Sequence, residues 1–332
     1  MNWIMGNLIE IRGLRRLFPL RQKFLERKKK QRYVHAVDGV SFDIVEGETL
    51  ALVGESGCGK TTTGKLIINL ERATEGKVTF MNQDVYSLGE EEMRQLRCHM
   101  QIVFQDVSAS LNPRKTAGQI ISQPIAINEK GLRRQQIASS VYELLEIVGL
   151  SPPQRYLHRY PHEFSGGQRQ RIGIARAIAL RPKFVVADEP VSALDISVRG
   201  QILNLLKKLQ AEMALTYLFI THDLAVVRSI ADRVAVMYLG KIVEMAPVTK
   251  LFENPLHPYT KALLTATPIP DPKKSRSRER IILTGDVPSP VDPPSGCRFH
   301  TRCWLAFDRC RVEHPELRVM DNVHHVACHL VE

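Results

Sequence analysis

The sequence predicts an α/β protein built on a parallel core sheet, and two observations carry that prediction. Apolar runs of strand length recur between longer stretches with helical spacing, as parallel strands joined by crossover helices require. A glycine-rich turn at 54–61 follows one such run and opens a helical pattern. A third feature stands apart from the sheet. Four of the six cysteines crowd the last 36 residues and mark off a small C-terminal piece.

Taken in order, the alternating runs 8–11 and 40–45 read as half-buried antiparallel strands near the N-terminus. Runs 49–53, 101–104, 184–187, 217–221 and 234–237 read as core strands, and 62–70 as the helix after the glycine turn. Between 104 and 184 the pattern is mainly helical, clearest at 135–148. Seven of the nineteen prolines fall between 267 and 294, beside a basic run at 273–280, so this stretch reads as an extended linker. Residues 295–332 are too few to build a hydrophobic core of their own. No internal repeat is present.

A length of 332 residues favours about two domains, and 44% hydrophobic with 24% charged residues excludes bulk disorder. No apolar run approaches the roughly 18–20 residues of a spanning helix. Arg15 and Arg16 interrupt the first apolar stretch, against a secretory signal, so a cytosolic location is expected. The net charge of +11 is concentrated. Residues 12–32 hold ten bases against Glu26, and 273–280 hold five bases against Glu279, which leaves the rest of the chain at −2. The basic surplus therefore marks two accessory segments, and an anionic membrane surface is one expected contact for them.

The run Gly54-Glu55-Ser56-Gly57-Cys58-Gly59-Lys60-Thr61 fits the pattern G-x-x-x-x-G-K-[ST] with a strand before it and a helix after it. Glycines let successive backbone N–H groups face a β-phosphate at a helix N-terminus. Lys60 is expected to neutralise the β and γ phosphates and Thr61 to ligate Mg²⁺. Asp188 and Glu189 end the apolar run 184–187. Such an Asp can hold the metal through water, and the adjacent carboxylate can polarise an attacking water.

The run Phe164-Ser165-Gly166-Gly167-Gln168 resembles the ATP-binding-cassette signature, usually written Leu-Ser-Gly-Gly-Gln, with Phe in the first place. Gln105 after a strand, Ser192-Ala193-Leu194-Asp195, and His222 ending Ile220-Thr221-His222 complete the cassette pattern in order, over about 7–250. The resemblance implies the fold of a P-loop NTPase cassette: a parallel core sheet, an antiparallel β subdomain and an α-helical subdomain at about 106–180. It also implies the site. Gly54, Ser56, Gly57, Cys58, Gly59, Lys60, Thr61, Thr62 and Gln105 would bind ATP, with Thr61, Gln105 and Asp188 around Mg²⁺. Glu189 would be the general base, and His222 would contact the γ-phosphate and the attacking water. Ser165, Gly166, Gly167 and Gln168 would serve the ATP of an opposing ATPase subunit in a head-to-tail dimer, tied by Asp195. An aromatic normally stacks on adenine upstream of the phosphate loop; Phe18 fits that place, with Tyr33 as its competitor.

The run from His257 to Leu264, with Val287-Pro288-Ser289-Pro290 and the segment 293–300, resembles the oligopeptide/dipeptide importer ATPases and their C-terminal extension. The organisation this implies is an ATPase domain at 1–266, a Pro-rich linker at 267–294 and a Cys-rich extension at 295–332. The implied partners are a second ATPase subunit, two transmembrane permease subunits and an extracellular solute-binding protein, with the chain on the cytoplasmic face of the membrane. The solute implied is a peptide, while oligosaccharides and metal chelates travel through similar importers. A soluble, nucleic-acid-linked cassette ATPase is the other class; its usual second cassette or coiled-coil insertion is absent, and 6% aromatic residues offer few stacking platforms. No nucleic acid is expected as a partner.

Cys297, Cys303, Cys310 and Cys328 have the spacing C-x₅-C-x₆-C-x₁₇-C, without the C-x₂-C pairs of a structural zinc knuckle. In a cytosolic protein such a cluster points to a metal rather than to disulfides. Four thiolates from a loop-rich segment are expected to hold a [4Fe–4S] cluster, as the resemblance to this branch also implies. Zn²⁺, with or without His300 or His329, is the runner-up and no metal the remaining reading; a structural role suits so small a piece.

Overall fold

The computed structural model describes residues 6–20, 31–129, 131–267 and 281–331. Most of the first basic segment (21–30), the second basic run and part of the Pro-rich linker (268–280) lie outside the described residues. Two compact units result, one of residues 1–87 and 221–332, the other of 88–220.

The first unit begins with β1 (Asn7–Pro19), β2 (Tyr33–Val45) and β3 (Thr49–Val53), followed by α1 (Lys60–Ile67), β4 (Glu75–Phe80) and β5 (Gln83–Asp84). Strands β2-β1-β4-β5 form an antiparallel sheet, with Ile11 opposite Phe42 and Ile9 opposite Phe80. The alternation seen at 8–11 and 40–45 is thus two antiparallel strands, as expected. They run longer than the alternating stretches alone suggest, because β-bulges let charged positions such as Arg15 and Asp38 continue the ladder.

The second unit follows with α2 (Glu90–His99), β6 (Met100–Val103), α3 (Val107–Ser110), α4 (Ala117–Asn128), α5 (Arg134–Ile147) and α6 (Gly166–Ile178). It continues with β7 (Phe184–Asp188), α7 (Ile196–Met213) and β8 (Thr216–Thr221). Here β6, β7 and β8 are parallel neighbours, with Val186 level with Ile102 on one side and Leu218 on the other. All residues of β7 and β8 are buried, which explains why both read as unbroken apolar runs. The helical reading of 104–184 holds. Helix α4 opens on a capping box, in which Gln119 N–H donates to Thr116 Oγ1 and Thr116 N–H to Gln119 Oε1. Helix α7 buries the stripe Ile202, Leu205, Leu206 and Leu209.

The chain then returns to the first unit through α8 (Leu224–Ile230), β9 (Arg233–Tyr238), β10 (Lys241–Pro247), α9 (Val248–Glu253), α10 (Pro258–Ala266), α11 (Asp308–Val312), β11 (Arg318–Asp321) and β12 (His324–Val326). Strand β9 is parallel to β3, and β10, β12 and β11 extend it antiparallel in the order β11-β12-β10-β9-β3. The C-terminal residues are therefore stitched to the first unit by backbone pairing. Glu244 pairs with Val326 and Met245 with His325.

The same segment shares the first unit's core. Phe299 is 1% exposed and lies 5.2 Å from the Tyr238 ring and 5.3 Å from the Tyr259 ring. Arg298, itself buried, donates to Leu239 O and to the Asp38 carboxylate. Too short to make a core, residues 295–331 borrow one. Residues 281–294 contain no helix or strand, in keeping with their proline content; His35 N–H donates to Pro290 O at 2.9 Å. Among the described residues no helix is long and apolar enough to cross a membrane.

Candidate functional site

In the first unit, β3 places the phosphate loop. Leu50, Ala51, Leu52 and Val53 are each at most 1% exposed, and burying each Leu or Val side chain stabilises the strand by about 1.5–3 kcal/mol. The loop then packs so closely that side chains are excluded. A Cβ on Gly54 would lie 2.1 Å from Met237 O, and one on Gly59 2.1 Å from Ala36 O. Gly57, at φ +77°, faces open space instead, where a ligand can approach the backbone. Helix α1 starts at Lys60, two residues earlier than its apolar pattern, because the left-handed Gly59 hands the loop straight into the helix.

Lys60 is buried, and its Nζ donates to Gly54 O at 2.8 Å and to Glu55 O at 2.9 Å. The loop thus keeps its ammonium folded against its own carbonyls. Cys58 is buried too, its thiol pushed up by that burial despite nearby Lys60, whose Nζ lies 3.8 Å from Cys58 Sγ; Cys58 O accepts from Gly240 N–H at 2.8 Å. Thr61 and Thr62 are half-buried on the first turn of α1. His222 follows β8 at an exposed turn in which Asp223 N–H donates to Thr221 Oγ1 and Asp223 caps α8. Phe18 sits near the end of β1 opposite Val34, and Tyr33 one pair further along, so the two candidate adenine aromatics are ladder neighbours. The Arg16 guanidinium lies 4.4 Å over the Phe18 ring.

In the second unit, Asp188 closes β7 at 3% exposure and Glu189 follows it. Glu189 has φ +44°, a left-handed conformation that costs a non-glycine residue about 1–3 kcal/mol. Its N–H donates to Ile220 O at 2.9 Å, and Ser192 Oγ donates to its carbonyl at 3.1 Å, which holds the turn. Gln105 Nε2 donates to Glu189 Oε2 at 3.1 Å. A cavity of about 440 Å³ beside this pair is lined by Gln105, Gly166, Gln170, Glu189, Ser192 and Leu194.

Ser165 caps α6. Gln168 N–H donates to Ser165 Oγ at 3.3 Å, and Ser165 N–H to Gln168 Oε1 at 3.0 Å. Ser165 and Gly166 are exposed, so with the Ser165 and Gln168 N–H groups closed in the cap, it is the Ser165 hydroxyl and the Gly166 and Gly167 backbone that lie at the outward helix start. Phe164, the departure from the usual Leu, is 4% exposed and stacks on Tyr156 at 6.1 Å, so the larger side chain serves as the anchor of the turn. A Cβ on Gly167 would sit 2.5 Å from Val198 Cγ1, which ties α6 closely to α7. Asp195 is exposed at the N-cap of α7, next to Ile196, which is 86% exposed.

The four C-terminal cysteines are free thiols. Cys297 is pushed up to about 11 by burial and by the neighbouring thiols of Cys310, Cys328 and Cys303, against the N–H of Phe299. Burial raises Cys303 and Cys328 as well, each opposed by an N–H two residues on, from Leu305 and Leu330. Among the described residues no group of three or more His, Cys, Asp or Glu is arranged to hold a metal ion.

Glu55, Arg302 and Glu244 escaped sequence reasoning. Glu55 N–H donates to Tyr259 Oη at 2.9 Å, and Arg302 Nη1 donates to Glu55 Oε2 at 2.8 Å. Glu244, wholly buried, accepts from Leu256 N–H at 2.7 Å and His257 N–H at 3.0 Å, and bonds His324 Nε2 at 2.8 Å. The one signal in the sequence was the run from His257 to Tyr259, which marked a resemblance without suggesting a contact.

A phosphate loop feeding α1, a carboxylate pair ending a parallel strand, and a capped Ser-Gly-Gly helix start define an ATPase of the ATP-binding-cassette class. Residues 37–192 match the family model described as ABC transporter, and residues 243–310 match that described as oligopeptide/dipeptide transporter, C-terminal region. The oligopeptide transport ATP-binding protein AppF of Bacillus subtilis is 52% identical over 324 residues, covering 97% of both chains. The oligopeptide transport ATP-binding protein OppF of Salmonella typhimurium is 49% identical, covering 93% of this chain and 92% of its own. The solved dimeric structure of a post-hydrolysis state of the ATP-binding cassette MJ0796, bound to ADP and Pi, matches with a TM-score of 0.63. It is 29% identical and covers 72% of this chain and 98% of its own. The chain belongs to the oligopeptide and dipeptide transport ATP-binding proteins, a branch of the ABC transporter ATPases.

Proposed function

We propose that this chain is the ATP-hydrolysing subunit that powers import of peptides across the cytoplasmic membrane. The observation that carries this reading is the presence, on one chain, of the phosphate loop and of a 243–310 segment matching the C-terminal region of oligopeptide/dipeptide transporters. No observation favours an oligosaccharide, a metal chelate or nucleic acid in place of a peptide.

The phosphate loop suits a triphosphate. Lys60 leaves the Gly54 and Glu55 carbonyls for the β and γ phosphates, while the N–H groups at the start of α1 are offered to the same oxygens. The hydroxyl of Thr61, the amide of Gln105 and the carboxylate of Asp188 are hard oxygen donors, the set that Mg²⁺ prefers. When bound, Mg²⁺ neutralises charge on the phosphate oxygens. Glu189 takes the proton of the attacking water, and its bond from Gln105 aims the carboxylate. His222 contacts the γ-phosphate, and Phe18 stacks on adenine with Tyr33 as the alternative. Catalysis of this kind is mostly positioning and charge stabilisation.

Ser165, Gly166, Gly167 and Gln168 serve the ATP of a second ATPase subunit, and Asp195 with exposed Ile196 belongs to that interface. The dimeric state of the matched MJ0796 cassette supports this arrangement. Two permease subunits and an external solute-binding protein complete the assembly, with this chain on the inner membrane face. Residues 1–266 form the ATPase domain, 267–294 the linker and 295–332 the Cys-rich extension. Cys297, Cys303, Cys310 and Cys328 are offered on their sequence spacing as ligands of an iron–sulfur cluster, with zinc as the second reading; in the described residues they do not form a ready metal-holding group. Iron, zinc and sulfide assays on protein purified without oxygen decide between them; metal-free, folded protein removes both.

The function itself is tested by uptake. In cells lacking this chain, accumulation of labelled di- and oligopeptides is expected to fail and to return with wild type but not with Lys60→Ala. Peptide uptake that persists, with loss of oligosaccharide uptake instead, overturns the reading.

A further inference from the structure

The phosphate loop of this chain is gripped by residues more than 200 positions away. Glu55, its second residue, gives its N–H to Tyr259 Oη at 2.9 Å and receives Arg302 Nη1 on its carboxylate at 2.8 Å. Glu55 is half-buried, Tyr259 is fully buried, and the Arg302 side chain is 8% exposed. An ion pair so shielded from solvent is better placed to fix geometry than a surface pair. Both partners are anchored in turn. The Tyr259 ring packs 4.7 Å from Tyr238 and 5.3 Å from Phe299, and Tyr259 N–H donates to His257 Nδ1 at 3.1 Å, next to the Glu244 lock. Arg302 N–H donates to Phe299 O at 3.0 Å, and Arg302 immediately precedes Cys303.

The consequence runs through Lys60. The carbonyls that hold its ammonium belong to Gly54 and Glu55, the two residues flanking the peptide whose N–H Tyr259 accepts. Fixing Glu55 therefore fixes the orientation of these acceptors and with it the resting position of Lys60. We propose that Tyr259 and Arg302 are positioning residues of the ATP site: through Glu55 they pre-shape the phosphate loop, so that the C-terminal segment is part of the ATP-binding apparatus. The proposal rests on the assignment of this loop to ATP. Without the grip, the loop samples conformations in which its N–H groups no longer converge. Apparent affinity then falls in proportion to the population of the competent form.

The test uses the full chain and a fluorescent ATP analogue with Mg²⁺, displaced by ATP, together with steady-state hydrolysis. Arg302→Ala is expected to raise Kd for MgATP five- to tenfold and to change KM more than kcat. Arg302→Lys, which can still reach the carboxylate, recovers most of the loss. Tyr259→Phe keeps the ring packing and removes only the acceptor, so it reports even if Arg302→Ala folds poorly; about a threefold rise in Kd is expected. In a Glu55→Gln background the Arg302→Ala effect should shrink to less than twofold, because its target charge is gone. MgATP affinity unchanged in Arg302→Ala and Tyr259→Phe, or an Arg302→Ala effect undiminished beside Glu55→Gln, overturns the proposal. Wild-type protein that binds no MgATP overturns the ATP assignment instead.

Discussion

Gln105 donates from its side-chain amide to the carboxylate of Glu189 across 3.1 Å, joining the end of β6 to the turn after β7. Glu189 is held at φ +44° while its side chain is aimed by a neighbour that sequence places 84 residues away. An aimed carboxylate is worth more than a free one. Gln105→Ala is expected to lower ATP turnover about tenfold, since misorientation of a reacting group costs rate before it costs binding. Steady-state kinetics check this; an unchanged kcat places Gln105 outside the positioning of the base.

Ser165 both caps α6 and presents its hydroxyl outward. Ser165→Arg removes the cap, at about 1 kcal/mol of stability, and fills the outward face of the helix start. MgATP binding to the phosphate loop of the same chain should persist while steady-state hydrolysis by the assembled pair is lost. Equilibrium binding beside turnover separates the two. A monomeric ATPase indifferent to this change contradicts a shared site.

His257 is wholly buried, and its pKa is lowered to about 4 by burial and by Lys261, against the opposing pull of Glu244. Its Nδ1 accepts from Tyr259 N–H, so the ring is neutral in the fold. The unfolded chain, near 6.5, takes up the proton first. Stability is therefore full above pH 6.5 and declines as pH falls toward 4, by about 3 kcal/mol in total and about 2 kcal/mol by pH 5. His257→Asn keeps an acceptor for the helix cap and removes the titration. Urea midpoints at pH 7 and pH 5 should differ less for His257→Asn than for wild type.

Phe299 fills the pocket between Tyr238, Tyr259 and His257, with ring centroids 5.2, 5.3 and 5.7 Å away. Phe299→Ala is expected to destabilise the first unit by about 3–5 kcal/mol, the usual range for a buried Phe. Chemical denaturation followed by circular dichroism and at Trp304 measures it. A loss under 1 kcal/mol means the C-terminal segment folds apart from that core.

Legibility in the sequence followed distance along the chain. The phosphate loop was readable because Gly54 to Thr61 is contiguous and each glycine answers a local steric demand, as at Gly54 against Met237 O. Ser165 and Gln168 were readable for the same reason: a capping box closes within four residues. The docking of the C-terminal segment was not. Strand β12 is three residues long and begins with two histidines, which give no strand signal, and it exists because β10 offers an edge. Glu244 gave no sign of its role, because its partners Leu256, His257 and His324 lie 12, 13 and 80 positions on, beyond the reach of any local pattern. Arg302 and Glu55 are 247 positions apart, so only the fold brings that pair together.

The central claim is an ATPase whose phosphates are held by Lys60 and whose water is activated by Glu189. Its most direct test compares MgATP affinity and turnover in Glu189→Gln and Lys60→Ala against wild type, with the chain assembled with its partner ATPase subunit. Glu189→Gln is expected to bind MgATP at least as tightly as wild type and to lose turnover by about 100-fold or more, the scale of a lost general base, whereas Lys60→Ala loses binding. Wild-type turnover by Glu189→Gln, or undiminished MgATP binding by Lys60→Ala, would contradict it.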